Sequence, residues 1–165
     1  MAFEAFWWLA AANASWSSRE TFHFAATFSA VIGDGPQSTA DVDIYRFTAQ
    51  ARDVFSAEIF AEPLNSSLDS MLRLFDSTGR QLALNDDMVS SVDSFLAYTI
   101  RATGTYYIAV SGYANSRYSP LQPGGGVPGS TGPYELALLL RRAGGVPDTQ
   151  PPTATLAAPD LTEAG

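Results

Sequence analysis

SLDSMLRLFDSTGRQLALNDD, residues Ser67 to Asp87, places two short apolar runs, Met71 to Phe75 and Gln81 to Leu84, on either side of Asp76-Ser77-Thr78-Gly79. Leu72 and Leu74 alternate with Met71, Arg73 and Phe75, and Leu82 and Leu84 alternate with Gln81 and Ala83. A two-residue period is that of a half-buried strand, and Asp-Ser-Thr-Gly is a turn, so the stretch predicts a β-hairpin. A hairpin brings its open ends together. Asp69 before the first strand and Asn85, Asp86 and Asp87 after the second then crowd one edge of a sheet. Gathering like charges there is costly unless a cation or a set of backbone N–H groups meets them.

The same period continues outward in both directions. Upstream, Phe22, Phe24, Phe28, Ala30 and Ile32 suggest one or two strands, closed by the breaker cluster Gly33-Asp34-Gly35-Pro36. Asp41 to Thr48 (DVDIYRFT) follows, with Asp41, Asp43, Tyr45 and Phe47 on one face, and then Val54 to Phe60. If Tyr45 and Phe47 are core, the two carboxylates sit at the entrance of that strand on the same side. Downstream, Phe95 to Ile100, Thr105 to Ser111 (TYYIAVS) and Tyr134 to Leu140 (YELALLL) are strands by their alternation and their aromatic and β-branched content. Gly112 to Pro133 is rich in Gly, Pro and Ser, too long for a hairpin, and reads as an ordered surface excursion. Short strands at this spacing, with almost no helical periodicity, predict an all-β antiparallel sandwich.

Composition excludes several functions. The 165 residues carry a net charge of -8, and all nine basic residues are Arg, so there is no basic face for a nucleic acid. The absence of Cys removes disulfides, thiol catalysis and thiolate metal sites. A single His, His23 on a strand between Phe22 and Phe24, speaks against imidazole-held zinc and has no evident catalytic serine partner. No apolar run reaches the roughly 20 residues that cross a bilayer. The N-terminal MAFEAFWWLAAANASW has an apolar run and an Ala12-Asn13-Ala14 end resembling a signal cleavage site, yet it opens with Glu4 and no positive charge, so a strand or helix fragment is the competing reading.

ADVDIYRFTA, SSLDSMLRLFDSTGRQLALNDD, DSFLAYTI, GTYYIAVSGY and GPYELALLL, in this order between Ile32 and Leu140, resemble the bacterial pre-peptidase C-terminal domain. The resemblance implies a jelly-roll-like β-sandwich over residues 21–142, without catalysis of its own. Such domains stand beside catalytic modules in secreted peptidases and in large surface proteins. Relatives in collagenases bind calcium and collagen, which implies calcium binding and an adhesive role at an extracellular or cell-surface location. The acidic positions that match are Asp41, Asp43, Asp69, Asp86 and Asp87. Three departures stand out. Ala51-Arg52-Asp53 lacks a Gly common in relatives, Met88 and Val89 replace small polar residues after Asp87, and the excursion Asn115 to Pro133 is long. After Arg142, AGGVPDTQPP reads as a linker, and TATLAAPDLTEAG resembles the opening strand of a bacterial Ig-like domain, so residues 143–165 are expected to join a covalently linked neighbour.

Two chemistries compete for the acids. Calcium takes about six to eight oxygens, and Asp41, Asp43, Asp69, Asn85, Asp86 and Asp87, with Asp34 and Asp93 as additions, supply enough. The other reading is that they cap turns, as Asp and Asn do by accepting from nearby backbone N–H groups; for Asp76 capping is the favoured role. The EF-hand spacing is absent. Catalysis finds no motif: Glu58, Glu62 and Glu135 stand in none, and Gly124-Gly125-Gly126 precedes Val-Pro and not a helix. The alternative to a protein-adhesive module is a carbohydrate-binding one, in which Tyr113, Tyr118 and Trp16 stack on a polysaccharide.

Overall fold

Alternation of apolar and polar residues builds eight strands in the computed structural model, which describes residues 20–122 and 124–143, with side chains from Phe24. They are β1 (Glu20–Ile32), β2 (Val42–Ala49), β3 (Val54–Phe60), β4 (Ser70–Asp76), β5 (Gln81–Asn85), β6 (Phe95–Thr99), β7 (Gly104–Gly112) and β8 (Gly132–Ala143). Two single turns of 3₁₀ helix, Ser38–Ala40 and Glu62–Leu64, lie in the connections. His23, Trp16, the N-terminal segment and the linker with its Ig-like start lie outside the residues whose side chains are described.

The strands form two antiparallel sheets of four, in the orders β1-β8-β3-β6 and β2-β7-β4-β5. Neighbours in each sheet are mostly distant in sequence, the connectivity of a sandwich whose chain crosses repeatedly between layers. Between the sheets lie Phe55 and Ile59 of β3, Leu72 and Leu74 of β4, Ile108 and Val110 of β7, and Tyr134, Leu136 and Leu138 of β8, all at most 2% exposed. Each such side chain contributes roughly 1.5–3 kcal/mol by leaving water. Phe47 stacks on Phe55 at 4.3 Å, joining one sheet to the other.

The hairpin β4-β5 is present, with Leu72 opposite Asn85. Asp76 caps its turn, its Oδ1 accepting from Thr78 N and Arg80 N. The expectation of a half-buried β4 needs correction: Met71, Arg73 and Phe75, on its outer face, are buried as well. The cover is the excursion between β7 and β8. Tyr118 lies over Phe75, and the Arg73 guanidinium sits 4.5 Å from the Tyr118 ring and 4.7 Å from the Phe75 ring. Its Nε donates to Gln81 Oε1 and its Nη1 to the Tyr118 carbonyl. Cation–π contacts of this kind contribute roughly 1–2 kcal/mol when desolvated.

The Gly-less turn between β2 and β3 closes with Arg52 in the left-handed region, φ 77°. Asp53, buried, supports it by accepting from Gln50 N through Oδ2, and Arg142 of β8 stands 3.6 Å from its other oxygen. At this end of the sandwich Glu20 pairs with Ala143, so the described chain enters and leaves side by side.

Candidate functional site

The end opposite to Glu20 and Ala143 gathers the acids. β2 and β4 begin there and β5 and β7 end there, with Val42 opposite Ser111, Ser70 opposite Gly112 and Leu72 opposite Asn85. Asp41, Asp43, Asp69, Asn85, Asp86 and Asp87 are thus on one rim. Asp41 immediately precedes β2 and Asp69 immediately precedes β4, and β7 runs between those strands. At about 4.8 Å per strand, the rim divides into two acidic groups.

In the first group the protein supplies the donors. Asp41 accepts from Gly33 N at 2.7 Å through Oδ2 and from Val42 N at 3.0 Å through Oδ1, which is turn capping. Asp43 faces inward and accepts from the Tyr134 hydroxyl at 2.6 Å, and that hydroxyl stands 2.8 Å from the Tyr45 hydroxyl. Burial pushes the Asp43 carboxyl up to about 7, the Tyr134 hydrogen bond opposing and the charges of Asp41 and Asp34 adding. Burial first, and the Asp43 carboxylate second, hold both phenols above the usual tyrosine range, so they remain hydrogen-bond donors.

The second group is less well met. Asp69 Oδ1 is buried and has no hydrogen-bond partner. Burial raises the Asp69 carboxyl above its ordinary value, and the like charges of Asp87 and Asp86 raise it further. Asn85 holds the loop between β5 and β6: its Nδ2 donates to the Asp87 carbonyl and its Oδ1 accepts from Phe95 N. Asp34 is exposed, and Asp93 is committed elsewhere, accepting from the backbone N–H groups of Ala61 and Glu62 beneath the second 3₁₀ turn.

Sequence reasoning missed the residues that tie the two groups together, which come from the excursion. Asn115, fully buried, donates to the Asp41 carbonyl and accepts from Val127 N. Ser130 Oγ donates to the Asp69 carbonyl at 2.8 Å and accepts from Asp69 N at 2.9 Å. The signal available was Gly112: a Cβ there would lie 1.8 Å from the Ser130 carbonyl oxygen, so only Gly lets the returning chain reach the rim. The expected sugar-stacking set is also corrected. Tyr118 is 7% exposed because it lies over Arg73, whereas Tyr113, at the rim, is 52% exposed.

Among the described residues no three His, Cys, Asp or Glu side chains are grouped as a ready-made metal cage. A hard cation at this rim would be held by Asp69, whose Oδ1 is buried and has no hydrogen-bond partner, with the Asp87 and Asp86 carboxylates close enough to act on it.

Residues 41–112 match the family model of the bacterial pre-peptidase C-terminal domain. A probable subtilase-type serine protease of Deinococcus radiodurans is 42% identical over 72 residues, 43% of this chain and 10% of that protein. The chain thus spans about a tenth of the curated relative that it matches. Among solved structures, a periplasmic inhibitor of g-type lysozyme from Aeromonas hydrophila aligns at 18% identity and a TM-score of 0.47, covering 70% of this chain and 85% of that one. The pre-peptidase C-terminal domain of a Bacillus anthracis collagenase aligns at 16% and 0.43, covering 70% and 88%. The family is a non-catalytic domain that accompanies peptidases. The matched segment holds four of the five sequence blocks and six of the eight strands, β2 to β7, and over residues 41–112 this chain is similar to the bacterial pre-peptidase C-terminal domain.

Proposed function

We propose that this chain supplies a non-catalytic accessory or adhesive module of a secreted or cell-surface protein, accompanying a peptidase and stabilised by calcium at Asp69, Asp86 and Asp87. The observation that carries the metal is the buried, partnerless Oδ1 of Asp69. Calcium would neutralise that end of the rim and fix the loop after β5; Asp41 and Asp43, already met by protein donors, would take no part in holding it. Extracellular modules commonly bind calcium with dissociation constants near 10⁻⁴–10⁻³ M. A free concentration about 100 times the dissociation constant then adds roughly 2.7 kcal/mol to the folded state.

The placement of the rim supports an accessory role. Glu20 and Ala143 are paired at the opposite end, so the rim, with exposed Tyr113, lies at the end of the sandwich away from where the described chain enters and leaves. An extracellular protein or polysaccharide is the ligand class that reading implies. Thermal unfolding with calcium and with chelator is the test of the metal, and the midpoint is expected to rise by several degrees with calcium. An unchanged midpoint up to millimolar calcium rejects it. Binding to arrays of collagen peptides and glycans tests the adhesive part, with Tyr113→Ala expected to reduce retention.

A further inference from the structure

We infer that β1 is the seam of a symmetric homodimer, pairing antiparallel with β1 of a second copy about Phe28. β1 is an edge strand, bonded only to β8. Among the described residues no backbone hydrogen bond outside that ladder involves residues 24–32. Edges are ordinarily blunted by charge, Pro, bulges or shortness. The other three edges have such protection: β2 carries Asp43 and Arg46, and β5 and β6 are five residues each and are tied together by Phe95 N donating to Asn85 Oδ1. β1 has none of these from Phe24 to Ile32, since its one register irregularity lies between Phe22 and Phe24.

The core beneath this edge is also incompletely covered. Phe24 and Phe28 pack against the buried cluster yet remain half-buried. On the inward face the sequence runs Phe24, Ala26, Phe28, Ala30, Ile32, large and small side chains alternating symmetrically about Phe28. A second copy related by a twofold axis would set Phe28 against Phe28, Ala26 against Ala30 and Phe24 against Ile32. Large side chains then meet large ones, small meet small, and no charge enters the seam. The outward faces, Ala25, Thr27, Ser29 and Val31, would continue as one eight-stranded sheet. An edge pairing of this length is a small interface, so the dimer is expected to form at micromolar concentrations and above.

Sedimentation velocity of the full chain from about 1 to 500 µM is the first test, with a monomer giving way to a dimer expected. In this register Thr27 of one copy opposes Ser29 of the other, twice. Thr27→Lys with Ser29→Lys, both exposed in the single copy, should therefore raise the dissociation constant about tenfold or more and leave the dilute melting temperature unchanged. The chain has no cysteine, so Thr27→Cys with Ser29→Cys and a short bis-maleimide should trap a covalent dimer in high yield. A chain monomeric throughout the range, or a dimer indifferent to both variants, overturns the proposal.

Discussion

The two halves of the acidic rim are made of the same residue types at the same end of the same sheet, and they differ in who answers them. Asp41 and Asp43 are met by Gly33, Val42 and Tyr134, groups from the β1-β2 link, from β2 itself and from β8. Asp69, crowded by Asp86 and Asp87, keeps one buried oxygen unanswered. An acidic cluster is therefore not a unit of function. Its chemistry depends on donors that the fold brings from elsewhere, and a metal is called for only where those donors fail.

The largest effect that separates the halves is on pH. The Asp43 carboxyl moves from 3.8 to about 7, chiefly by burial. The folded protein then holds a proton that the unfolded chain has already released, so the contribution of Asp43 to stability is greatest below about pH 4, falls as pH rises, and is lost above about pH 7. At about 1.4 kcal/mol per pH unit this is on the order of 4 kcal/mol. Asp43→Asn, which keeps an acceptor for the Tyr134 hydroxyl, should flatten most of the decline in urea titrations between pH 4 and pH 8. A decline of the same size in the variant would assign the effect to other groups, Asp69 first, whose carboxyl is raised as well.

Next comes Asp41. Asp41→Ala leaves two backbone N–H groups without their acceptor and should cost about 1–2 kcal/mol, equally with calcium and with chelator. It also removes one of the like charges that raise the Asp43 carboxyl, so the midpoint of the pH decline should move to lower pH. Asp69→Asn should leave that midpoint in place. A calcium-dependent cost for Asp41→Ala would join the two halves into one site.

How much of this was legible beforehand depends on the range of the contact. Period-two alternation is local, and Leu72, Leu74, Tyr45 and Phe47 read correctly as core from their own neighbours. The common rim was also legible, because a hairpin forces Asp69 and Asn85 to one edge. The division of the rim was not, since the partner of Asp43 is 91 residues away and nothing near Tyr134 marks it as a donor. Burial of Arg73 and Tyr118 was hidden for the same reason. A strand with polar residues on alternate positions looks half-exposed until a Gly-rich segment folds over it, and Gly112 was the local trace of that segment. Arg52 shows the converse. A turn position that favours Gly is filled there by an arginine at positive φ, with Asp53 accepting from Gln50 N to hold the turn.

The smallest effect is the one that decides the metal. Asp69→Asn removes a charge from a crowded group but keeps an oxygen acceptor, so two consequences oppose each other. Relief of repulsion from Asp86 and Asp87 favours the variant, while its new N–H donors must find acceptors at a partly buried site. Without calcium the two should nearly cancel, leaving the variant within about 1 kcal/mol of the parent. With calcium the parent alone gains a ligand-linked term, so the difference between the two proteins should open as calcium is added and saturate with the dissociation constant of the site. Melting both across a calcium titration reads this directly. If the curves stay parallel, the unpartnered oxygen of Asp69 is a cost that the sandwich carries unaided, and both halves of the rim are structural.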